Sequence, residues 1–215
     1  MRITKFGHAC VRIEHGGKAL VIDPGGWTSP EAVDGVDVVL VTHEHPDHVN
    51  ADLLRRTDAE VFTVLGVAQH LAGEAPDLHE RVRVLPPGTG FTAAGLQVET
   101  VGELHAVIHE ELPRVHNSGY LVSDGQTRLF HPGDALTAPS EHVDVLCLPV
   151  SAPWLKISEA IDFARGVGAA HNLGIHDEVY SERGLGIADA HFGRFLGALG
   201  HDYSRLPEGS DLLTG

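Results

Sequence analysis

Residues 36–48 read VDVVLVTHEHPDH, and the two halves of this segment differ in chemical character. The first half, up to Thr42, is a nearly continuous run of β-branched and aliphatic residues, which predicts a strand buried on both faces. The second half places four candidate metal ligands directly after that strand: His43, His45, Asp47 and His48. Imidazole and carboxylate ligands suit zinc, with iron and manganese as alternatives. The segment therefore predicts a metal site at a strand end.

The spacing of these ligands favours two ions over one. His43 and His45 are two residues apart at the end of a strand, so both rings can point towards one ion. Asp47 and His48 follow the bend that Pro46 introduces, so they can point towards a neighbouring ion. Two divalent ions close together are typical of hydrolases, because they activate a shared water and clamp the oxygens of a displacement reaction.

Periodicity outside this segment predicts strands and helices in a mixed order. We expect strands at residues 3–6, 10–14, 19–23, 36–42, 60–63, 82–85, 96–101, 118–123, 127–131, 143–148 and 170–175. We expect helices at residues 51–56, 67–73, 157–167 and 187–199. Buried and alternating strands, followed by helices in each half, predict an α/β (α+β) chain in which two sheets carry helices outside. With neither a linker nor a repeat, we expect residues 1–215 to form a single domain.

Composition limits the partners that the chain can have. The chain has 30 acidic and 15 basic residues, which give a formal charge of -15. This charge repels nucleic acid and anionic membrane surfaces, so we expect the binding partner to be a small-molecule substrate. The sequence shows neither a signal-peptide core nor an apolar run of membrane-spanning length. Cys10 and Cys147 both fall in apolar segments and are expected to be buried thiols in a reducing compartment. The expected location is the cytoplasm. The sequence is compatible with either a monomer or a homo-oligomer.

Five motifs, taken in order, resemble a known family. The HEHPDH run resembles the His-x-His-x-Asp-His signature of the metallo-β-lactamase superfamily. The other four are similar to motifs of its small metal-dependent hydrolases, the branch that includes ascorbate-6-phosphate lactonase. They are FGHACV at 6–11, LVIDP at 20–24, FHPGD at 130–134 and GIHD at 174–177. This resemblance implies a four-layer αββα sandwich of two mixed sheets, with metal ions at one edge between the sheets.

The resemblance also implies which residues would hold each ion. One ion would be held by His43, His45 and a third histidine, and the other by Asp47, His48 and His176. Asp134 would bridge both ions, while Asp23 would hydrogen-bond into the loop of residues 43–48 without touching metal. Asp47 and Asp134 are expected to take part in catalysis, as is His131, which lies beside the second of them in sequence.

Three residues compete for the role of the third histidine: His105, His109 and His116. His105 follows the strand predicted at 96–101, and strand ends hold ligands firmly. The resemblance to the small hydrolases also implies a third histidine at about this place. His116 lies eighteen positions before Asp134, a separation similar to that in larger enzymes of the superfamily. We expect His105 to be the ligand.

The function predicted on these grounds is a metal-dependent hydrolase in which a hydroxide held by two ions, most simply zinc, cleaves a small ester, lactone or phosphoester. The alternatives are an iron-dependent oxidoreductase on the same fold and a non-catalytic metal-binding module. The sequence lacks an extra redox cysteine motif and keeps a complete ligand set, which favours the hydrolase. His8, Trp27 and Trp154 each lie beside a motif, where contact with the site and simple packing are equally compatible with the sequence.

Overall fold

The computed structural model describes residues 1–213 and contains two seven-stranded sheets. In spatial order the first sheet contains β14 (Ser210–Asp211), β1 (Arg2–Phe6), β2 (Cys10–His15), β3 (Lys18–Ile22), β4 (Val38–Val41), β5 (Glu60–Thr63) and β6 (Val82–Val84). The second sheet contains β13 (Asp202–Ser204), β12 (His171–Ile175), β11 (Val145–Pro149), β10 (Arg128–His131), β9 (Gly119–Ser123), β8 (Leu96–Val101) and β7 (Gly90–Ala93). The two sheets repeat one plan, since each combines antiparallel hairpins on one side with parallel strands on the other.

Alternation along the strands explains how the layers pack. Val11 and Ile13 of β2 point to one side of the first sheet, where they join a core that includes Val122 of β9 and Leu173 of β12. Cys10, which precedes Val11 and points to the other face of the sheet, packs instead into the core beneath the nearby helices. Because side chains alternate with a period of two, one strand serves the core between the sheets and an outer core at once.

Four α-helices cover the outer faces of the two sheets. They are α1 (Ala51–Arg55), α2 (Leu65–Glu74), α3 (Ile157–Val167) and α4 (Glu182–Gly197). The short 3-10 helices Pro30–Val33 and Pro76–Arg81 lie with α1 and α2 on the first sheet. Asn50 caps α1 by accepting from the backbone N–H groups of Asp52 and Leu53, and Ser181 caps α4 by accepting from that of Gly184. The four-layer αββα sandwich predicted from the sequence is confirmed.

The carboxyl ends of the strands bring the predicted site residues to one edge. Asp23 follows β3, His43 follows β4, and His176 follows β12. β3 runs parallel to β4, and β12 runs parallel to β11, so the carboxyl ends of these strands lie at one edge of their sheets. Tyr120 of β9 ties the two sheets together there, because its hydroxyl donates to the carbonyl oxygen of Val41 at 3.0 Å.

Helix length and thiol burial bear on the expected environment of the chain. Within residues 1–213, the helices are all too short or too polar to cross a membrane. In the same described range, the thiols of Cys10 and Cys147 are free and buried, and burial raises the pKa of each well above its usual value.

Candidate metal centre

Eight side chains at the shared sheet edge form two adjoining clusters of metal-ligand type. The members of cluster A are His43, His45, His105 and Asp134. The members of cluster B are His8, Asp47, His48 and His176. Within each cluster the candidate ligand atoms lie within 4.8 Å of one another, and most of the side chains are buried. All seven residues that the sequence predicts as ligands therefore lie in these two clusters, and His8 is an eighth member.

Asp23 organises the loop that carries four of these residues. Its Oδ1 accepts from the backbone N–H of Thr42 at 2.8 Å, and its Oδ2 accepts from the Thr42 hydroxyl at 2.7 Å. Oδ2 also accepts from Nδ1 of His48 at 2.7 Å. Asp23 makes these contacts from a backbone φ of +51°, a conformation uncommon outside glycine and asparagine and frequent at functional sites. Asp23 thus holds the loop in the way expected from the sequence.

Hydrogen bonds at Nδ1 fix which nitrogen of each ring is free. The Thr42 hydroxyl proton goes to Asp23, so the Thr42 oxygen accepts from Nδ1–H of His43 at 3.0 Å. His48 donates from Nδ1 to Asp23, and His105 donates from Nδ1 to the carbonyl oxygen of Ala106 at 2.6 Å. A neutral imidazole carries one proton, so a ring that donates from Nδ1 presents a lone pair at Nε2.

His176 has the same arrangement at the end of β12. Its Nδ1 donates to the carbonyl oxygen of Ser151, whose own hydroxyl donates to the carbonyl oxygen of His176 at 2.6 Å. The residue has a φ of +58°, which turns the chain so that the ring lies in the site. Outer hydrogen bonds of this kind fix the orientation of metal-binding histidines and raise their basicity. His176 therefore also presents Nε2 to the site.

Asp134 lies between the two clusters. Its Oδ1 is 3.1 Å from Nε2 of His48, and its Oδ2 is 3.3 Å from Nε2 of His105 and 3.2 Å from Nε2 of His176. The indole N–H of Trp154 donates to the same Oδ2 at 2.9 Å. A carboxylate that reaches members of both clusters has the placement that a bridging ligand requires.

The electrostatics of the site place opposite charges in a buried space. Burial would lower the pKa of His176, but the Asp134 carboxylate outweighs it and raises that pKa to about 9. Burial would raise the pKa of Asp134, but His176 and His48 hold it well below its usual range. The pKa of Asp47 is likewise held low, against the effect of burial, by contacts with His176 and His8. Without metal, protons thus occupy the positions that cations would take.

Unpaired buried atoms test whether metal ions fit this set of donors. Within the described chain, five buried atoms that face the site lack a hydrogen-bond partner: Nε2 of His8, His48, His105 and His176, and Oδ1 of Asp134. Buried polar atoms without partners are costly and rare in folded proteins. Imidazole nitrogens and carboxylate oxygens that converge at this spacing are the donors that divalent transition metals prefer. The residues present fit metal ions.

The structure places His131, for which the sequence predicts a catalytic role, apart from the two clusters. The ring is fully buried; its Nε2 donates to the carbonyl oxygen of Ala9 at 2.8 Å, and its Nδ1 accepts from the backbone N–H of Gly133 at 3.2 Å. Both nitrogens are used, and the ring belongs to neither cluster. His131 instead ties β10 to the start of β2. The rival candidates for the third histidine, His109 and His116, are exposed and lie outside both clusters.

Two glycines allow the loops to meet closely enough to form the site. A Cβ on Gly25 would lie 1.8 Å from the backbone oxygen of Asp47, so another residue there would displace the ligand loop. Gly133 has a φ of +60°, and a Cβ on it would lie 2.4 Å from Oδ1 of Asn117 and 2.7 Å from Oγ1 of Thr42. The glycines of the DPGG and HPGD stretches are thus required by close backbone approach.

A pocket of about 530 Å³ opens beside the metal centre. Its apolar wall consists of Leu104, Ala106, Val107, Ile108, Leu136, Trp154 and Leu155. Trp154 belongs both to this wall and, through its indole N–H, to the surroundings of Asp134. Trp27, by contrast, is 52% exposed and packs edge-on against His8 at a ring-centroid distance of 4.6 Å. Sequence reasoning left the places of both tryptophans open, because only the folded chain sets them.

The chain is similar to known proteins in both sequence and fold. Residues 2–176 match the family described as the beta-lactamase superfamily domain. The chain is 38% identical to protein Rv0786c of Mycobacterium tuberculosis over 98% of both chains. It is 31% identical to a UPF0173 metal-dependent hydrolase of Anoxybacillus flavithermus, over 73% of this chain and 82% of that one. The fold is similar to that of Igni18, a metallo hydrolase from Ignicoccus hospitalis, with a TM-score of 0.74 and 17% identity over 98% and 97% of the two chains.

Proposed function

Since the chain belongs to the metallo-β-lactamase superfamily, in its branch of small metal-dependent hydrolases, we propose that it hydrolyses a small carboxylic ester or lactone with two divalent metal ions, most simply zinc. The observation that carries the proposal is the convergence of unpaired buried nitrogen and carboxylate atoms at one sheet edge. Cluster A supplies donors for one ion and cluster B for the other, with Asp134 shared between them.

Bound ions would supply Lewis-acid chemistry, because they lower the pKa of water towards neutrality and stabilise negative charge on oxygen. The chain's own residues supply the geometry that this chemistry needs. Asp23 holds the ligand loop, and the carbonyl oxygens of Ala106 and Ser151 fix the rings of His105 and His176. Trp154 holds the Asp134 carboxylate from the side of the pocket. These contacts keep the donors in place before metal or substrate arrives.

The pocket favours an uncharged substrate group that can make both apolar and polar contacts. Aliphatic side chains stand beside polar ones in its lining, and its two cationic side chains are already engaged. Arg114 donates to the carbonyl oxygen of His105 at 2.6 Å, and Nζ of Lys156 lies 3.2 Å from the Glu159 carboxylate. A volume of about 530 Å³ suits a compact acyl or aryl group next to the scissile bond. The charge of -15 further favours a small uncharged substrate over nucleic acid or an anionic membrane surface.

The experiment loads separate samples of metal-free protein with zinc, manganese or iron and assays each with matched substrates that share one aryl group. The substrates are a carboxylic ester, a lactone and a phosphodiester. We expect the zinc-loaded protein to bind two ions and to cleave the ester or the lactone. Cleavage of the phosphodiester alone would overturn the substrate class. Two bound irons in protein from its native source, with redox activity and no hydrolysis, would favour the oxidoreductase.

A pocket variant separates the substrate group from the metal chemistry. Leu136→Glu places a carboxylate in the apolar wall without removing a candidate ligand. We expect the variant to keep both ions and to show a KM raised at least about tenfold for the aryl ester, since burying a charge against an apolar group is unfavourable. Leu112→Glu is the matched control, because that side chain is 52% exposed outside the pocket wall. Equal KM values in the two variants would exclude this pocket as the substrate site.

A further inference from the structure

His8 differs from every other histidine of the two clusters. It lies in the turn between β1 and β2, is fully buried, and its carbonyl oxygen accepts from the backbone N–H of His176 at 2.7 Å. Its ring packs against that of His176 at a centroid distance of 3.9 Å. Nε2 of His8 is 3.2 Å from Oδ2 of Asp47, but it makes no hydrogen bond within residues 1–213. Distance alone would therefore make His8 a fourth ligand of cluster B.

The hydrogen bond at the other ring nitrogen indicates a different role. The backbone N–H of Glu178 donates to Nδ1 of His8 at 3.1 Å. A backbone amide can only donate, so Nδ1 must hold a lone pair and the single proton of the neutral ring is on Nε2. His48, His105 and His176 are held in the opposite way, with Nδ1 donating to oxygen, so that the neutral ring has its lone pair on Nε2. A protonated Nε2 has no lone pair to offer a metal ion.

We propose that His8 is not a metal ligand but a positioning residue: its Nε2–H, 3.2 Å from Oδ2 of Asp47, donates to that carboxylate when metal draws it into place, and so orients it. The inference rests on the proposed function, in which Asp47 is a ligand. Oδ2 has two lone pairs, so it can accept from His8 and still bind an ion. Cluster B is then left with Asp47, His48, His176 and the shared Asp134, which keeps room for a reacting molecule, as catalytic metal sites require.

The tautomer is measured directly by long-range ¹H–¹⁵N NMR on the side chain of His8, in the metal-free and the zinc-loaded protein. We expect the proton on Nε2 in both samples. A proton on Nδ1 of His8 in the zinc-loaded protein would overturn the proposal, because Nε2 would then be the ligand. Since the metal-free sample gives its own answer, a failure of the hydrolase proposal would be distinguishable from a failure of this one.

Two substitutions of His8 separate a donor from a ligand. The Gln amide N–H reaches close to the position of Nε2 but is a poor zinc ligand, whereas Ala removes the donor. We expect His8→Ala to bind two zinc ions with affinity about 10–100-fold weaker at one site, and His8→Gln to recover most of that loss. kcat should follow the same order. His176→Asn is the matched control and should lose one ion. Loss of one ion in both His8 variants, as in His176→Asn, would make His8 a ligand.

A folding defect is checked by circular dichroism before metal is added. If His8→Ala is unfolded, His8→Gln decides the question, since it keeps the packing volume and the donor. Zinc stoichiometry of two in His8→Gln supports the positioning role, and stoichiometry of one overturns it.

Discussion

Outer hydrogen bonds sort the buried histidines of this molecule by what each ring can do. Rings that donate from Nδ1 to an oxygen present a lone pair to the site, as His105 does through the Ala106 carbonyl. His131 uses both nitrogens on the backbone and presents none. At the scale of single residues, the partner behind the ring therefore decides between ligand, donor and packing residue more reliably than position in the sequence.

The choice between His105 and His116 gives a prediction at this scale. His105→Ala removes a buried nitrogen from cluster A, so zinc stoichiometry should fall from two towards one and activity should be lost. His116 is exposed, and its backbone rather than its ring pairs with Leu104, so His116→Ala should bind two ions. Elemental analysis after gel filtration measures both. If His116→Ala lost an ion while His105→Ala kept two, the assignment of the third histidine would be reversed.

A second prediction concerns the indole N–H of Trp154. The substitution Trp154→Phe keeps an aromatic ring at this position but removes the N–H. In Trp154→Phe, Oδ2 of Asp134 loses its bond from the indole. We expect two ions to bind with affinity about 10-fold weaker or more at one site, as when other outer partners of ligands are lost. Competition with a chelator measures the affinity. Trp27→Phe is the control, since that ring is half exposed and donates no hydrogen bond within residues 1–213. Equal affinities in the two variants would contradict the role of the indole N–H.

At the scale of elements, a buried ion pair joins the two sheets beside the site. Nζ of Lys5 on β1 lies 3.1 Å from Oδ1 of Asp177, which follows β12, and it also donates to the carbonyl oxygen of Gly7. Both side chains are almost fully buried. Burial raises the pKa of the Asp177 carboxyl, although Lys5 acts against that rise. The pair fixes the turn that carries His8 against the strand end that carries His176.

Breaking one side of this pair should destabilise the protein more than removing both. Lys5→Met leaves the Asp177 carboxylate buried without its partner, and we expect the free energy of unfolding to fall by about 3–5 kcal/mol. The double variant Lys5→Met/Asp177→Leu should recover a large part of that loss, since two apolar groups need no partner. Urea denaturation measures both variants. A double variant as unstable as Lys5→Met would show that the pair contributes through packing rather than charge.

Elements with a strong local pattern could be predicted from the sequence, and elements that depend on distant partners could not. Strand β8 and helix α3 have the predicted bounds, because their apolar residues recur at the period of the element. Strands β7, β13 and β14 were missed, since they have two to four residues and exist through their pairing. β14 pairs with β1, which lies at the opposite end of the chain.

The start of α4 shows a second limit. The sequence predicts a helix from residue 187, but α4 begins at Glu182. The first five residues of α4 include Gly184 and Gly186. Glycine has a low helix propensity and adds nothing to a pattern of apolar residues at helical spacing. The Ser181 cap stabilises the first turn by accepting from the backbone N–H of Gly184. The cap at Ser181 thus starts the helix earlier than the pattern of apolar residues predicts.

The residues of the site likewise fall into those that the sequence could predict and those that it could not. The four ligands of residues 43–48 could be predicted because they lie in one short motif behind a buried strand. His105 required a choice among three histidines, since the loop that contains them lacks a regular pattern. The places of His8 and Trp154 could not be predicted, because each depends on a partner far away in sequence. Glu178, for instance, is 170 residues from His8.

At the scale of the whole molecule, the metal centre links stability to pH and to metal. In the metal-free protein the pKa of His176 is about 9, against 6.5 for a free histidine. A raised pKa means that the folded state holds the proton more tightly than the unfolded state. This stabilisation is complete below about pH 6.5 and is lost as the pH rises through 9. Metal acts in the opposite direction, because ligands must lose protons before they bind an ion.

The stability curves of metal-free and zinc-loaded protein should therefore diverge between pH 7 and pH 9. Burial lowers the pKa of His8 and His43, so those rings add little slope in this window. At His48, by contrast, burial is outweighed by Asp134 and Asp23, which raise its pKa, so His48 adds to the slope in the same direction as His176. The shift at His176 corresponds to about 3 kcal/mol of unfolding free energy, lost by the metal-free protein as the pH rises. Over the same range the zinc-loaded protein should gain stability. Urea denaturation with and without chelator measures both curves.

The control for this linkage is His176→Asn, chosen because asparagine tolerates the positive φ of +58° at that position. The substitution removes one titrating ring and a candidate ligand together, so the metal-free slope between pH 7 and pH 9 should become shallower, with His48 left to contribute, and zinc should stabilise the variant less. A variant of the exposed His142, His142→Ala, should keep both slopes. If metal-free wild-type protein instead gained stability from pH 7 to pH 9, the proton held between His176 and Asp134 would not be the origin of the linkage.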